Sequence, residues 1–392
     1  MAQSKGNVFQ RLYVGNGAFD IVGKRKRWYV LFGVILLVCL ASIIFRGFNL
    51  GIDFTGGTRV QMPAQSASGT ISVEAAKESF AKAIGEEPTA VQTVGTGTAT
   101  TIQIRSETLD AAQVAKLKEG LNSDLKPNGG LSAISDSAVS ASWGGEITTK
   151  ALIALGVFFL AVAIFLALYF EWQMAVAALV AVVHDVVITA GVYSLVGFEV
   201  SPATVIGLLT ILGFSLYDTV VVFDKVKENT RGLLGLTRRT YGEAANLAVN
   251  QTLMRSINTS LIALLPVLGL LAIGVGLLGV GTLKDLALVQ LTGMAIGAIS
   301  SIFIATPVAV ELKMRDPKYK AQAARVQQRR DNLARKASGE VVSGGDVVES
   351  TDDESLKAEL RHEKALAAAA GVPSRTSKST DARRRPTGKK HR

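Results

Sequence analysis

Six apolar stretches limit the architecture more than any other feature of the chain: 28–45, 151–170, 174–196, 200–223, about 252–276 and 286–310. A helix rises about 1.5 Å per residue and a bilayer core takes about 20 residues, so each stretch is long enough to cross a membrane. The sequence predicts a membrane all-α bundle of six transmembrane helices. Hydrophobic residues make up 48% of the chain, too many for an ordinary soluble domain. Lys24, Arg25, Lys26 and Arg27 precede the first stretch, and no small-residue cleavage site follows it. It is expected to stay attached as an anchor.

Lysine and arginine beside a span favour the cytoplasmic side. The expected threading is a cytoplasmic leader at 1–27, transmembrane helix 1 at 28–46 and an extracytoplasmic domain at 47–148. Helices 2–6 follow at 149–312, with a cytoplasmic loop at 224–251, and then a basic, mostly disordered cytoplasmic tail at 313–392. Both termini are then cytoplasmic. The loop agrees, carrying Lys225, Lys227, Arg231, Arg238 and Arg239, and so does the cluster Lys313, Arg315, Lys318 and Lys320 after the last span. Trp28, Trp143 and Trp172 fall at expected boundaries, where indoles gather. The net charge of +10 is concentrated in the tail, where 20 Lys+Arg face 11 Asp+Glu from Lys313 onward. That pattern points to membrane lipids and not to a specific nucleic-acid site. A helix is expected within the tail at 354–370. Cys39, the single cysteine, excludes an intramolecular disulfide.

Between the first two spans the chain turns polar and alternating. Strands are expected at 58–62, 90–94, 100–105 and 131–143, and helices at 72–84 and 109–121. This βαββαβ order predicts an α+β ferredoxin-like domain. The segment 58–143 has no histidine or cysteine, so neither a metal site nor a nucleophilic triad is expected, and binding is favoured over enzymatic catalysis.

The chemistry concentrates on Asp218. Residues 200–216 carry no charge, and Thr219 to Phe223 are uncharged before Asp224. Asp218 therefore lies roughly 7 to 8 Å inside the boundary, where an ionisable group costs about 2.5 kcal/mol or more and needs a partner or a water path. The alternative is an acid near a helix end that reaches water by itself. The fifth span opens with Gln251, Arg255, Asn258 and Thr259 on one helical face. Arg255 matches Asp218 in depth and is either its partner or a snorkelling side chain. His184 and Asp185 lie near the middle of the third span and point about 100° apart. One lines a polar interior while the other bonds a neighbouring helix, or both serve the structure alone. Thr240 and Glu243 have capping-box spacing for a short helix at the cytoplasmic face. Gly293 and Gly297 form a G-x-x-x-G pair, and with Gly207 and Gly213 predict close helix packing. The stretch GIDFTGGT at 51–58 is a glycine-rich turn leading into a strand. It lacks the lysine and following helix of a phosphate loop.

GIDFTGGT, GFSLYDTVVVFDKVKEN at 213–229 and NQTLMRSINTS at 250–260 together resemble the bacterial SecF family of protein-export membrane proteins, in the resistance-nodulation-division superfamily. The resemblance covers about 11–315. It implies a subunit of the bacterial cytoplasmic membrane that acts with SecD beside the SecYEG channel, with SecA and also YidC and YajC as expected associates. Such a subunit uses the proton-motive force to help a translocating preprotein finish crossing, with no cofactor. Position by position, it implies proton coupling at Asp218 and Arg255 and an outer-face motif at Asp53, Phe54, Thr55, Gly56 and Gly57. Tyr217 departs from the pattern, standing where many members carry asparagine. Two other functions fit the residues: a non-energised scaffold for membrane-insertion factors, and half of a proton-driven lipid or drug transporter.

Overall fold

The computed structural model describes residues 19–67, 69–95, 97–277 and 281–338. The chain forms two units, Met1–Asn229 with Gly242–Asp316, and Thr230–Tyr241 with Pro317–Arg392.

In the first unit six helices are long and apolar enough to cross a membrane. They lie within Arg25–Arg46, Ala141–Tyr169, Trp172–Val196, Pro202–Gly235, Tyr241–Val275 and Leu283–Lys313. The third and sixth are the most enclosed, and the first, second and fifth show most of their surface. Tyr193, Ile211, Val267, Ala287 and Met294 pack the third to sixth together. Three of the four glycines expected at close helix contacts stand at one, while Gly213 faces open space with nothing within 4 Å of a Cβ there. A side chain at Gly297 would meet the Ser215 Cβ at 2.8 Å, and one at Gly293 or Gly207 would strike Ile211 or Val289. The fifth span carries Pro266, which removes a backbone donor, and beyond Gly269 its turns widen to π geometry over Leu270–Leu277.

A four-stranded antiparallel sheet lies between the first two spans. Its strands are β1 (Gly57–Pro63), β2 (Ala90–Val94), β3 (Thr101–Ser106) and β4 (Ser135–Val139), in the order β2-β3-β1-β4. Helices Val73–Ile84 and Ala111–Leu125 complete a βαββαβ sequence of elements. Alternate residues Val60 and Met62 on β1 and Ile102 and Ile104 on β3 bury against Phe80, Leu117 and Leu121 of the helices. The helix starts are capped. Ser72 accepts from Ala75 N at 3.1 Å, and Asp110 with Gln113 forms a capping box that starts the second helix at Ala111 instead of 109.

Three expected boundaries are corrected. The strand placed at 131–143 is confined to Ser135–Val139, because Ser140 caps a helix that opens at Ala141 and places Trp143 in its first turn. The helix that contains the second span therefore opens before residue 149. Of the segment 224–251 expected as a loop, only 230–240 lies outside the two long helices, since that of the fourth span runs to Asn229 and that of the fifth starts at Tyr241. A Lys225–Glu228 pair at 2.8 Å one turn apart supports that extension. The separate short helix merges into the fifth span because Ala244, Ala245, Ala248 and Val249 are buried.

In the second unit Pro317–Ala337 is a helix, which corrects the expectation of mostly disordered chain after residue 313 over that stretch. Gln322 is fully buried and donates to Leu236 O and Arg239 O at 2.9 and 2.8 Å. Those bonds satisfy carbonyls that the 230–240 link leaves open. The helix expected at 354–370 lies outside the described residues.

Candidate functional site

Asp218 is buried on the fourth span at 6% exposure. It faces the fifth span because Ser215, Asp218, Thr219 and Val222 share the inward side of their helix. Its carboxylate Oδ2 accepts a hydrogen bond from Ser256 Oγ, itself buried. Among the described residues no ion pair joins Asp218 to Arg255. The Arg255 guanidinium is exposed, and Nη2 instead donates to Tyr217 Oη at 3.5 Å. Two consecutive residues on one span thus meet two on the other: Asp218 takes Ser256, and Tyr217 takes Arg255. Beside them is a cavity of about 20 Å³ lined by Ser215, Tyr217, Asp218, Thr259 and Met294, room for about one water.

Asp185 forms a second buried centre. Its Oδ2 accepts from Ser215 Oγ at 2.5 Å and Ser300 Oγ at 2.8 Å, while Oδ1 lies 3.2 Å from His184 Nδ1. It therefore ties the third span to the fourth and sixth. His184 turns its ring edge to Phe32, with centroids 5.8 Å apart. Ser215 stands one helical turn before Asp218, so a single polar seam runs from Asp185 through Ser215 to Asp218 and Ser256. Thr219 closes onto Ser215 O at 3.1 Å.

The remaining predicted residues spread out. Thr259 Oγ1 donates to Arg255 O at 2.8 Å and reaches the cavity. Gln251 accepts from Asn229 at 3.0 Å, and Asp224 from Tyr169 at 3.5 Å. Asn258 is exposed. Gln251, Arg255 and Asn258 therefore share an outward face and do not line the polar seam.

The outer-face motif is a joint. Ile52–Thr55 makes one helical turn, and Gly56 and Gly57 follow with φ of 78° and 129°, values that favour glycine. A side chain at Gly56 would lie 2.8 Å from the Ala141 backbone, and one at Gly57 would lie 2.5 Å from Ser106 O. Phe54 packs its carbonyl onto Gly144. Thr55 Oγ1 donates to Gly51 O and Gly56 O. Asp53 reaches Arg59 at 3.5 Å, and Arg59 and Arg105 each lie 3.4 Å from Glu199. Asn49–Leu50 pairs in parallel with Glu199–Val200, and Arg105 also donates to Leu50 O and Asn49 Oδ1. The sheet is thus fastened to the link between spans three and four. Ser256, Ser215, Ser300, Arg105 and Glu199 are the participants that sequence reasoning missed. Of these, only Ser215 carried a signal, its i−3 spacing from Asp218.

Residues 121–315 match the family model described as Protein export membrane protein SecD/SecF, C-terminal, and residues 41–68 match the SecD/SecF GG Motif. The chain is 52% identical to Protein translocase subunit SecF of Mycobacterium tuberculosis (strain ATCC 25618 / H37Rv) over 89% of this chain and 80% of that protein. It is 42% identical to Protein translocase subunit SecF of Streptomyces coelicolor over 98% of this chain and 99% of the relative. Among solved structures, SecDF from Thermus thermophilus, described as a translocon-associated membrane protein, superposes with a TM-score of 0.65 at 31% identity. That match covers 75% of this chain and 38% of the SecDF chain.

Proposed function

Because the chain belongs to the SecF family of protein translocase subunits, we propose that it couples a transmembrane proton gradient to a late step of polypeptide export. The observation that carries this reading is Asp218, a carboxylate buried on the fourth apolar helix with one hydroxyl donor and a water-sized cavity beside it. A buried acid of this kind changes charge by exchanging a proton. The Arg255 guanidinium bonds Tyr217 instead of pairing with the acid, so it does not clamp Asp218 as an anion. Each proton supplies about 2.3 kcal/mol per 100 mV, enough to bias the packing of spans four and five.

Two further proposals concern assembly. The 57–139 domain is ferredoxin-like, supported by its βαββαβ order and fully antiparallel sheet, and it lies outside the cytoplasmic membrane with both termini inside. The exposed Gln251, Arg255 and Asn258 face needs cover in lipid, which supports a SecD-type partner there. The SecYEG channel, SecA, YidC and YajC follow from the resemblance alone.

The test is Asp218→Asn in a reconstituted translocation assay with and without a proton gradient. Normal assembly with loss of gradient stimulation is expected. Full stimulation at normal abundance would leave Asp218 as a structural hydrogen-bond acceptor and favour a scaffold.

A further inference from the structure

At the basic end of the bundle a groove of about 530 Å³ opens between the start of the first span and spans five and six. Its lining grades in chemistry from mouth to floor. Lys24 stands at the mouth, next to Lys26 and Arg27, and none of the three is within salt-bridge reach of a carboxylate among the described residues. Asp20 is also at the mouth, where its Oδ1 accepts from Gly23 N–H at 2.8 Å. One helical turn inward Trp28 lines the wall, and its indole Nε1 is buried without an acceptor among the described residues. On the fifth and sixth spans the wall is apolar apart from Ser256, with Ile257, Ile299, Ile302 and Phe303 among its residues.

A cation, then a lone hydrogen-bond donor, then a hydrocarbon trough matches one class of ligand in the same order: an anionic headgroup, an ester carbonyl and an acyl chain. Water fits poorly, because a void lined almost wholly by apolar side chains stays dry. A partner helix would leave the Trp28 donor and the Lys24 charge to chance. We propose that this groove is a binding site for one anionic phospholipid, its phosphate on Lys24, an ester carbonyl accepting from Trp28 Nε1 and one acyl chain running toward Ser256. The site stands whether or not Asp218 carries protons.

The test is native mass spectrometry of the full chain in detergent, titrated with equal amounts of phosphatidylglycerol and phosphatidylcholine. The wild type is expected to retain phosphatidylglycerol preferentially. Lys24→Gln should cut that preference about fivefold, and Lys24→Arg should keep it. Ile299→Trp, which fills the trough, should reduce retention of both lipids, with melting temperature measured alongside to confirm folding. Lys150→Gln, an exposed lysine outside the groove, serves as the charge control. Equal retention of the two lipids by the wild type would overturn the proposal. So would a Lys150→Gln loss matching that of Lys24→Gln, which would mark non-specific charge attraction. If Ile299→Trp does not fold, Trp28→Phe takes its place and should weaken retention of phosphatidylglycerol.

Discussion

A carboxylate held away from water depends on each donor it has, because a buried acceptor left unpaired costs about 1–3 kcal/mol. Ser256 supplies that donor to Asp218. Ser256→Ala is expected to destabilise the bundle by about 1–3 kcal/mol. Arg255→Met, a change at an exposed side chain, should stay within about 0.5 kcal/mol. Thermal unfolding in detergent separates the two, and equal losses would mean that Arg255 carries the acid. In the sheet domain, Lys82 donates to both oxygens of Asp124 and holds its carboxyl pKa below the usual value. A depressed folded pKa contributes stability above the unfolded value of about 3.9, and that stability is lost as pH falls through the folded value. The stability difference between wild type and Lys82→Ala should therefore be present at neutral pH and vanish in acid. A pH series of melting curves checks this, and a difference that persists below both values would contradict it.

At the scale of elements, contacts without side chains decide the joints. Gly57 combines a φ of 129° with a backbone carbonyl where a Cβ would stand. Gly57→Ala should cost about 1–3 kcal/mol or more, seen as a lowered melting temperature, whereas Gly145→Ala, where a Cβ meets nothing within 4 Å, should be silent. Between spans four and six, Gly297 lets the sixth helix approach closely enough for Ser300 to reach Asp185. The same approach brings Ser215 onto that acid, so helix packing and the polar seam stand or fall together.

For the whole molecule, Glu199, whose side chain is 8% exposed, is the point where the sheet domain meets the membrane helices through Arg59 and Arg105. Removing one member of a buried charge pair costs about 3–5 kcal/mol. Glu199→Ala should loosen the domain without unfolding it, which hydrogen exchange would report as faster exchange at Asn49–Leu50 and Glu199–Val200; unchanged exchange would refute the fastening. Sidedness is tested by thiol labelling. A cysteine at the exposed Glu86 should react in cells whose outer face is accessible, and one at Ser343 only after the membrane is breached. Ser106 is a poor labelling site because it is buried.

Hydrophobic length and alternation are local properties, so six long apolar helices, the βαββαβ order and the place of Asp218 on the fourth of those helices were legible in residue order alone. The seam was legible only in part, because adjacent helical residues point about 100° apart and matched depth does not say which one faces inward. That ambiguity separates Ser256 from Arg255. It also left open how His184 and Asp185 divide their roles, until packing put Asp185 between Ser215 and Ser300. The sheet order and the Arg105–Glu199 contact join residues far apart in the chain, and no periodicity encodes which distant charge will be neighbour to which. The membrane helices and their buried acid were determined by the sequence; the donor that meets the acid, and the fastening of the domain, were decided only when tertiary packing brought remote segments within hydrogen-bonding distance.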